Sequence, residues 1–143
     1  MLQTKAFDYQ QQIPAIVKAM VGAETAIGDH GLDPKLRHLV KLRASQINGC
    51  AFCVKMHTGE ARRDGETAER LDRLIVWQHV DDFSEREKAA LAWTEALTYL
   101  DRGADHAAVK RRLAEHFADP EIAALTAQIA MINLWNRLMV ATH

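Results

Sequence analysis

The sequence predicts an all-α fold, a single-domain bundle of six to seven helices spanning residues 1–143. Three observations lead there. Apolar residues recur with a period near 3.6, and no alternating run is long enough for a strand. Helix start and stop signals succeed one another at helix-length intervals. No linker, repeat or low-complexity segment divides the chain, whose 143 residues suffice for one domain that buries roughly 68–70% of its unfolded surface.

The first helix is expected over about Asp8 to Ile27, with Ile13, Ile16, Val17, Met20 and Val21 on its apolar side and Pro14 tolerated near its start. Asp33-Pro34 opens the second as N-cap and first-turn proline, and Asn48-Gly49 closes it. A third carries both cysteines and stops near Asp64-Gly65. A short helix follows around Thr67 to Val76. Ser84-Glu85-Arg86-Glu87 reads as a capping box for a helix that contains Leu91, Trp93, Leu97 and Leu100 and ends near Gly103. Another spans about His106 to Phe117. The last begins at Asp119-Pro120-Glu121 and is apolar almost all round, so it is expected at the centre or in a subunit interface.

Eighteen basic residues against nineteen acidic ones give a net charge of −1, and no block of like charge stands out. Neither nucleic acid nor an anionic membrane surface is the expected partner. The stretch Ile122 to Val140 is interrupted by Gln128, Asn133, Asn136 and Arg137, which argues against a membrane span. Met1-Leu2-Gln3-Thr4-Lys5 lacks the basic-then-apolar pattern of a secretory leader, so the expected location is cytoplasmic. In a reducing compartment two cysteines point to redox or catalytic thiols more than to a staple.

Both cysteines lie in Cys50-Ala51-Phe52-Cys53-Val54-Lys55-Met56-His57. On a helix, Cys50, Cys53 and His57 share one face. A thiol attacks peroxide or a disulfide only as the thiolate, so its pKa must be lowered. The helix start after Gly49 supplies the positive end of the dipole, and His57 supplies a proton acceptor. His57 lies one turn from Cys53 but roughly 10 Å along the axis from Cys50, at 1.5 Å per residue. Cys53 is therefore the expected attacking thiol. Cys50, at the helix start and expected to be the more accessible, would resolve the sulfenic acid into a disulfide and then meet an external reductant, whereas in thioredoxin-like sites the N-terminal cysteine attacks instead.

If the helices flanking Asn48-Gly49 form an antiparallel hairpin, His38 and His57 come nearly level. Ser45 then stands near the height of Cys53, placed to donate a hydrogen bond. Zinc held by Cys50, Cys53, His57 and His38 is disfavoured because structural zinc usually takes two knuckles of paired ligands. No metal and no organic cofactor are expected.

Leu39 through Thr58, with its Ser-Gln-Ile-Asn-Gly-Cys-Ala-Phe-Cys core followed by His57, resembles the AhpD-like alkylhydroperoxidase branch of the carboxymuconolactone decarboxylase family. Phe83-Ser84-Glu85-Arg86-Glu87, Ala92-Trp93-Thr94-Glu95-Ala96-Leu97 and Asn133-Leu134-Trp135-Asn136-Arg137 are similar too, and the resemblance covers about residues 10–140. It implies an all-helical homo-oligomer (dimer, trimer or hexamer) that reduces a hydroperoxide and takes electrons from an external dithiol or protein reductant. It also implies Cys53 as the peroxide-reducing thiol, Cys50 as the resolving one and His57 as the family's histidine.

One position departs. The family's relay places a glutamate twelve residues before the first cysteine, and here that residue is His38. An imidazole orients and stabilises a charged His57 less well than a carboxylate, so weaker or shifted peroxidase activity is expected, and His38→Glu is expected to raise it. Two other readings compete. A lactone decarboxylase needs an acid/base pair and a cationic clamp rather than two thiols. A non-enzymatic redox sensor would consume peroxide only once per subunit.

Overall fold

A computed structural model gives the fold for residues 7–143. The segment Met1–Lys5, read above for a leader, lies outside the described residues. Among these, the chain forms eight α-helices and no strand: α1 Tyr9–Gln12, α2 Pro14–Gly28, α3 Pro34–Ile47, α4 Ala51–Arg63, α5 Ala68–Arg73, α6 Glu85–Tyr99, α7 Ala107–His116 and α8 Asp119–Thr142. A 3-10 turn, Leu74–His79, continues α5.

The all-α class holds, but the expected first helix is two. Ile13 adopts φ −136°, ψ 56° and separates α1 from α2. The cause is Pro14, whose ring disfavours the helical conformation in the residue before it. The expected apolar side of α2 is also largely uncovered: only Ile27 is buried, while Ile16 and Val21 stay about half exposed.

The local signals elsewhere act as their chemistry dictates. Asp33 accepts from the Lys35 N–H at 3.0 Å, with Pro34 in the first turn of α3. Ser84 and Glu87 cap each other at 3.1 and 2.9 Å to start α6. That helix ends at Leu100, in the left-handed region with φ 49°, three residues before the expected glycine.

The helix at the centre is α3, not α8. It packs against α4, α6 and α8. Leu36 and Val40 join α6, α7 and α8 around Trp93, Leu113, Leu125 and Ile129. Leu39 and Leu42 join α4, α5 and α6 around Leu71, Leu74, Trp77 and Leu91. The long α8 buries one face, from Ala124 through Asn136, and leaves Val140 about half exposed. No helix among the described residues is long and apolar enough to cross a membrane.

Candidate active site

The turn between α3 and α4 presents the cysteines. Gly49 takes φ 64°, a backbone conformation open to glycine at little cost. Asn48 ties the turn to α8: its side-chain amide donates to Asn133 Oδ1 at 2.9 Å and Asn136 Oδ1 at 3.0 Å. Cys50 follows as the N-cap of α4, its own N–H donating to the Ser45 carbonyl at 3.1 Å and its sulfur accepting from the Cys53 N–H at 3.2 Å. The two sulfurs are joined as a disulfide, with the Cα atoms 5.2 Å apart.

Cys50 and Cys53 are both buried, at 2% and 1% exposure, so exposure does not distinguish the two sulfurs. Cys53, not Cys50, lines the adjoining cavity. One expectation fails here: Ser45 does not turn toward Cys53. Its hydroxyl donates back to the Lys41 carbonyl at 2.7 Å and accepts from Asn136 Nδ2 at 2.9 Å, the back-bonding common to serine inside helices.

His57 lies one turn beyond Cys53 on α4 and is buried. Its Nδ1 is 3.0 Å from Glu60 Oε2. His38, from α3, brings its Nδ1 to 3.9 Å from that same oxygen and its Nε2 to 2.5 Å from Asp64 Oδ2. Both imidazoles thus flank one carboxylate. Within the described residues His38 Nδ1 has no hydrogen-bond partner.

Electrostatics assign the protons. Burial pushes the His57 pKa down, and the nearby Lys41 ammonium adds to this, against the opposing hydrogen bond to Glu60. Burial pushes the Glu60 carboxyl up, yet the His57 hydrogen bond and the surrounding His57, Lys41 and His38 charges outweigh it and hold it below the ordinary range. The hydrogen bond from His38 holds Asp64 low as well. At neutral pH the pair is therefore neutral imidazole and carboxylate: Nδ1–H donates to Glu60 and Nε2 keeps its lone pair.

The cavity is about 510 Å³. From α4 it takes Phe52, Cys53, Met56, His57 and Glu60, and from α8 Trp135 and Met139. Lys41 and Arg37 enter from α3, and Glu24 from α2. Among the described residues no three His, Cys, Asp or Glu side chains cluster so as to hold a metal ion.

The pattern that defines the carboxymuconolactone decarboxylase family matches residues 14–96, from α2 through most of α6. The chain belongs to this family, in its AhpD-like branch. The chain is 36% identical to the uncharacterised Bacillus subtilis (strain 168) protein YdfG over 133 residues, which are 93% of this chain and 90% of YdfG. A solved structure from Agrobacterium tumefaciens, of a protein of unknown function whose name proposes AhpD-type antioxidant defence, superposes with TM-score 0.91 at 38% identity, over 97% of this chain and 95% of that one. The debrominase Bmp8 shares the fold, with TM-score 0.83 at 21% identity over 93% of this chain and 71% of its own.

Against the family's pattern, His38 stands where a glutamate is usual, but a carboxylate still meets the histidine. It comes from Glu60, three residues after His57 on the same helix. The sequence carried this signal, since residues at i and i+3 share a helix face. Lys41 and Trp135, for which spacing alone gives no signal, also line the cavity.

Proposed function

We propose that the chain is a thiol-dependent hydroperoxide reductase in which Cys53 meets the peroxide. One observation carries the reading: the disulfide-bonded pair sits at the start of α4, and its Cys53 member opens on a cavity that also holds the His57–Glu60 pair.

In the reduced protein, His57 Nε2 takes the proton of the Cys53 thiol, and the N-terminus of α4 stabilises the thiolate. The sulfur attacks one peroxide oxygen; an S–O bond forms and the O–O bond breaks. The alkoxide leaves with the proton held on His57, giving an alcohol and Cys53 sulfenic acid. Cys50 then attacks that sulfur, the S–S bond forms, and hydroxide leaves with the Cys50 proton as water. An external dithiol returns the two electrons. It enters from the cavity, where Cys53 is the sulfur presented, and expels Cys50 as a thiolate stabilised at the helix N-cap. Glu60 orients His57 and offsets its transient positive charge. The uncovered apolar side of α2 supports the homo-oligomer that the family resemblance implies.

The test is steady-state reduction of an organic hydroperoxide with dithiothreitol as donor. Cys53→Ser is expected to abolish turnover. Cys50→Ser is expected to allow one oxidation per subunit, seen as trapped sulfenic acid. Equal activity in the two variants would end this reading.

A further inference from the structure

Four of the residues around the cavity, Phe52, Met56, Trp135 and Met139, are apolar. Its polar members are mostly spent. Arg37 donates through Nε to Gln128 Oε1 at 2.8 Å and lies 3.8 Å from Glu24 Oε2. Glu24 also accepts from Gln128 Nε2 at 3.1 Å. Glu60 accepts from His57.

Lys41 is different. It is 8% exposed and lines the same cavity. Within the described residues its ammonium forms no hydrogen bond or ion pair, so three N–H donors remain unspent. Burial lowers its pKa. Glu24, Glu60 and Asp64 lie within its field without pairing with it, so they offset only part of the cost of burying the ammonium, and an anion seated against Lys41 offsets more of it. A single lysine suits one carboxylate, and the surrounding aromatic and thioether side chains suit an apolar body.

We propose that Lys41 is the anion-binding end of this cavity, seating the carboxylate of an apolar hydroperoxy acid whose peroxide group reaches Cys53; the substrate class rests on the reductase reading above. Lys41 then selects the substrate, while Cys53 and His57 perform the chemistry.

The experiment compares a hydroperoxy fatty acid with its methyl ester. The wild-type kcat/KM is expected to favour the acid by about tenfold or more, carried by KM, the preference a charge-assisted contact supports. Lys41→Met is expected to bring the ratio near one, and Lys41→Arg to keep most of it. A wild-type ratio near one, or a ratio unchanged in Lys41→Met, overturns the inference.

Binding of decanoate and decanol to the oxidised protein, followed by tryptophan fluorescence, needs no turnover. Decanoate is expected to bind about tenfold more tightly than decanol in wild type and to lose that margin in Lys41→Met; equal binding overturns the inference. If decanoate binds through Lys41 but neither hydroperoxide is consumed, the reductase reading falls and the anion site stands. If both hydroperoxides are consumed equally, the reverse holds.

Discussion

His57 is held by a residue of its own helix: its Nδ1 lies 3.0 Å from Glu60 Oε2, one turn further along α4. The usual family arrangement brings a glutamate from the preceding helix instead. The contact needs no long-range packing beyond what buries the imidazole. It also leaves α3 free to supply other groups, His38 and Lys41, to the same neighbourhood.

Glu60→Gln keeps the size of the side chain and removes its charge. Peroxidase kcat/KM is expected to fall about 10- to 100-fold, the usual effect of losing a carboxylate that orients a working histidine. The His57 ring gives a second readout by NMR. Burial already holds its pKa below the ordinary 6.5, and the Glu60 hydrogen bond acts in the opposite direction, so the variant should titrate lower still. A ring titrating above 6.5 would contradict the assignment. The linkage to stability has a definite sign. A pKa lower in the folded than in the unfolded chain means that the unfolded state binds the proton first. The contribution is complete above pH 6.5 and is lost as the pH falls through the folded-state value. Glu60, itself depressed from 4.5, adds the same trend at lower pH.

For His38→Glu the surroundings of His38 argue for a slower enzyme, against the gain expected from the sequence. His38 Nδ1 is 3.9 Å from Glu60 Oε2 and its Nε2 is 2.5 Å from Asp64 Oδ2. A glutamate there would meet two carboxylates, and like charges at that range disfavour one another's ionisation. The single variant is expected to slow peroxide reduction by up to about tenfold, the equivalent of one pKa unit. In the Glu60→Gln background the same change should restore part of the lost rate, because the new carboxylate then replaces the missing one. Steady-state rates of the four proteins in the cycle check this, and additive effects would refute it.

What could be read from the sequence was local, and what could not be read was tertiary. Asp33-Pro34, Asn48-Gly49 and Ser84 with Glu87 mark helix ends through contacts within four residues, so they are visible without neighbours. The all-α class follows from the period. The central place of α3 was not legible because it sets Arg37, His38, Lys41 and Ser45 among its leucines, a mean polarity that hid its burial. α8, expected at the centre or in a subunit interface, buries one face and leaves Val140 about half exposed. Ser45 was matched to Cys53 by height along the hairpin alone. Its backbone acceptor one turn back lay closer to hand, and spacing cannot rank a local bond against a distant one.

The polar knot under the cysteine turn provides the last prediction. Asn136 is fully buried in α8. Its Nδ2 donates to Ser45 Oγ at 2.9 Å, and its Oδ1 accepts from Asn48 Nδ2 at 3.0 Å. Asn136→Ala removes both bonds and opens a small void, so unfolding should become easier by about 1–3 kcal/mol, read from denaturant midpoints. The turn itself should persist, because Asn48 Nδ2 still donates to Asn133 Oδ1 at 2.9 Å. Asn48→Ala removes both anchors at once and should slow reoxidation of the reduced Cys50–Cys53 pair more than Asn136→Ala does, since the backbone carrying Cys50 loses its tie to α8. The double variant should be less destabilised than the sum of the singles, by about 0.5–1.5 kcal/mol for the shared hydrogen bond. Strict additivity would mean that the Asn48–Asn136 contact stores no stability, leaving Asn133 as the side-chain tie from α8 to Asn48.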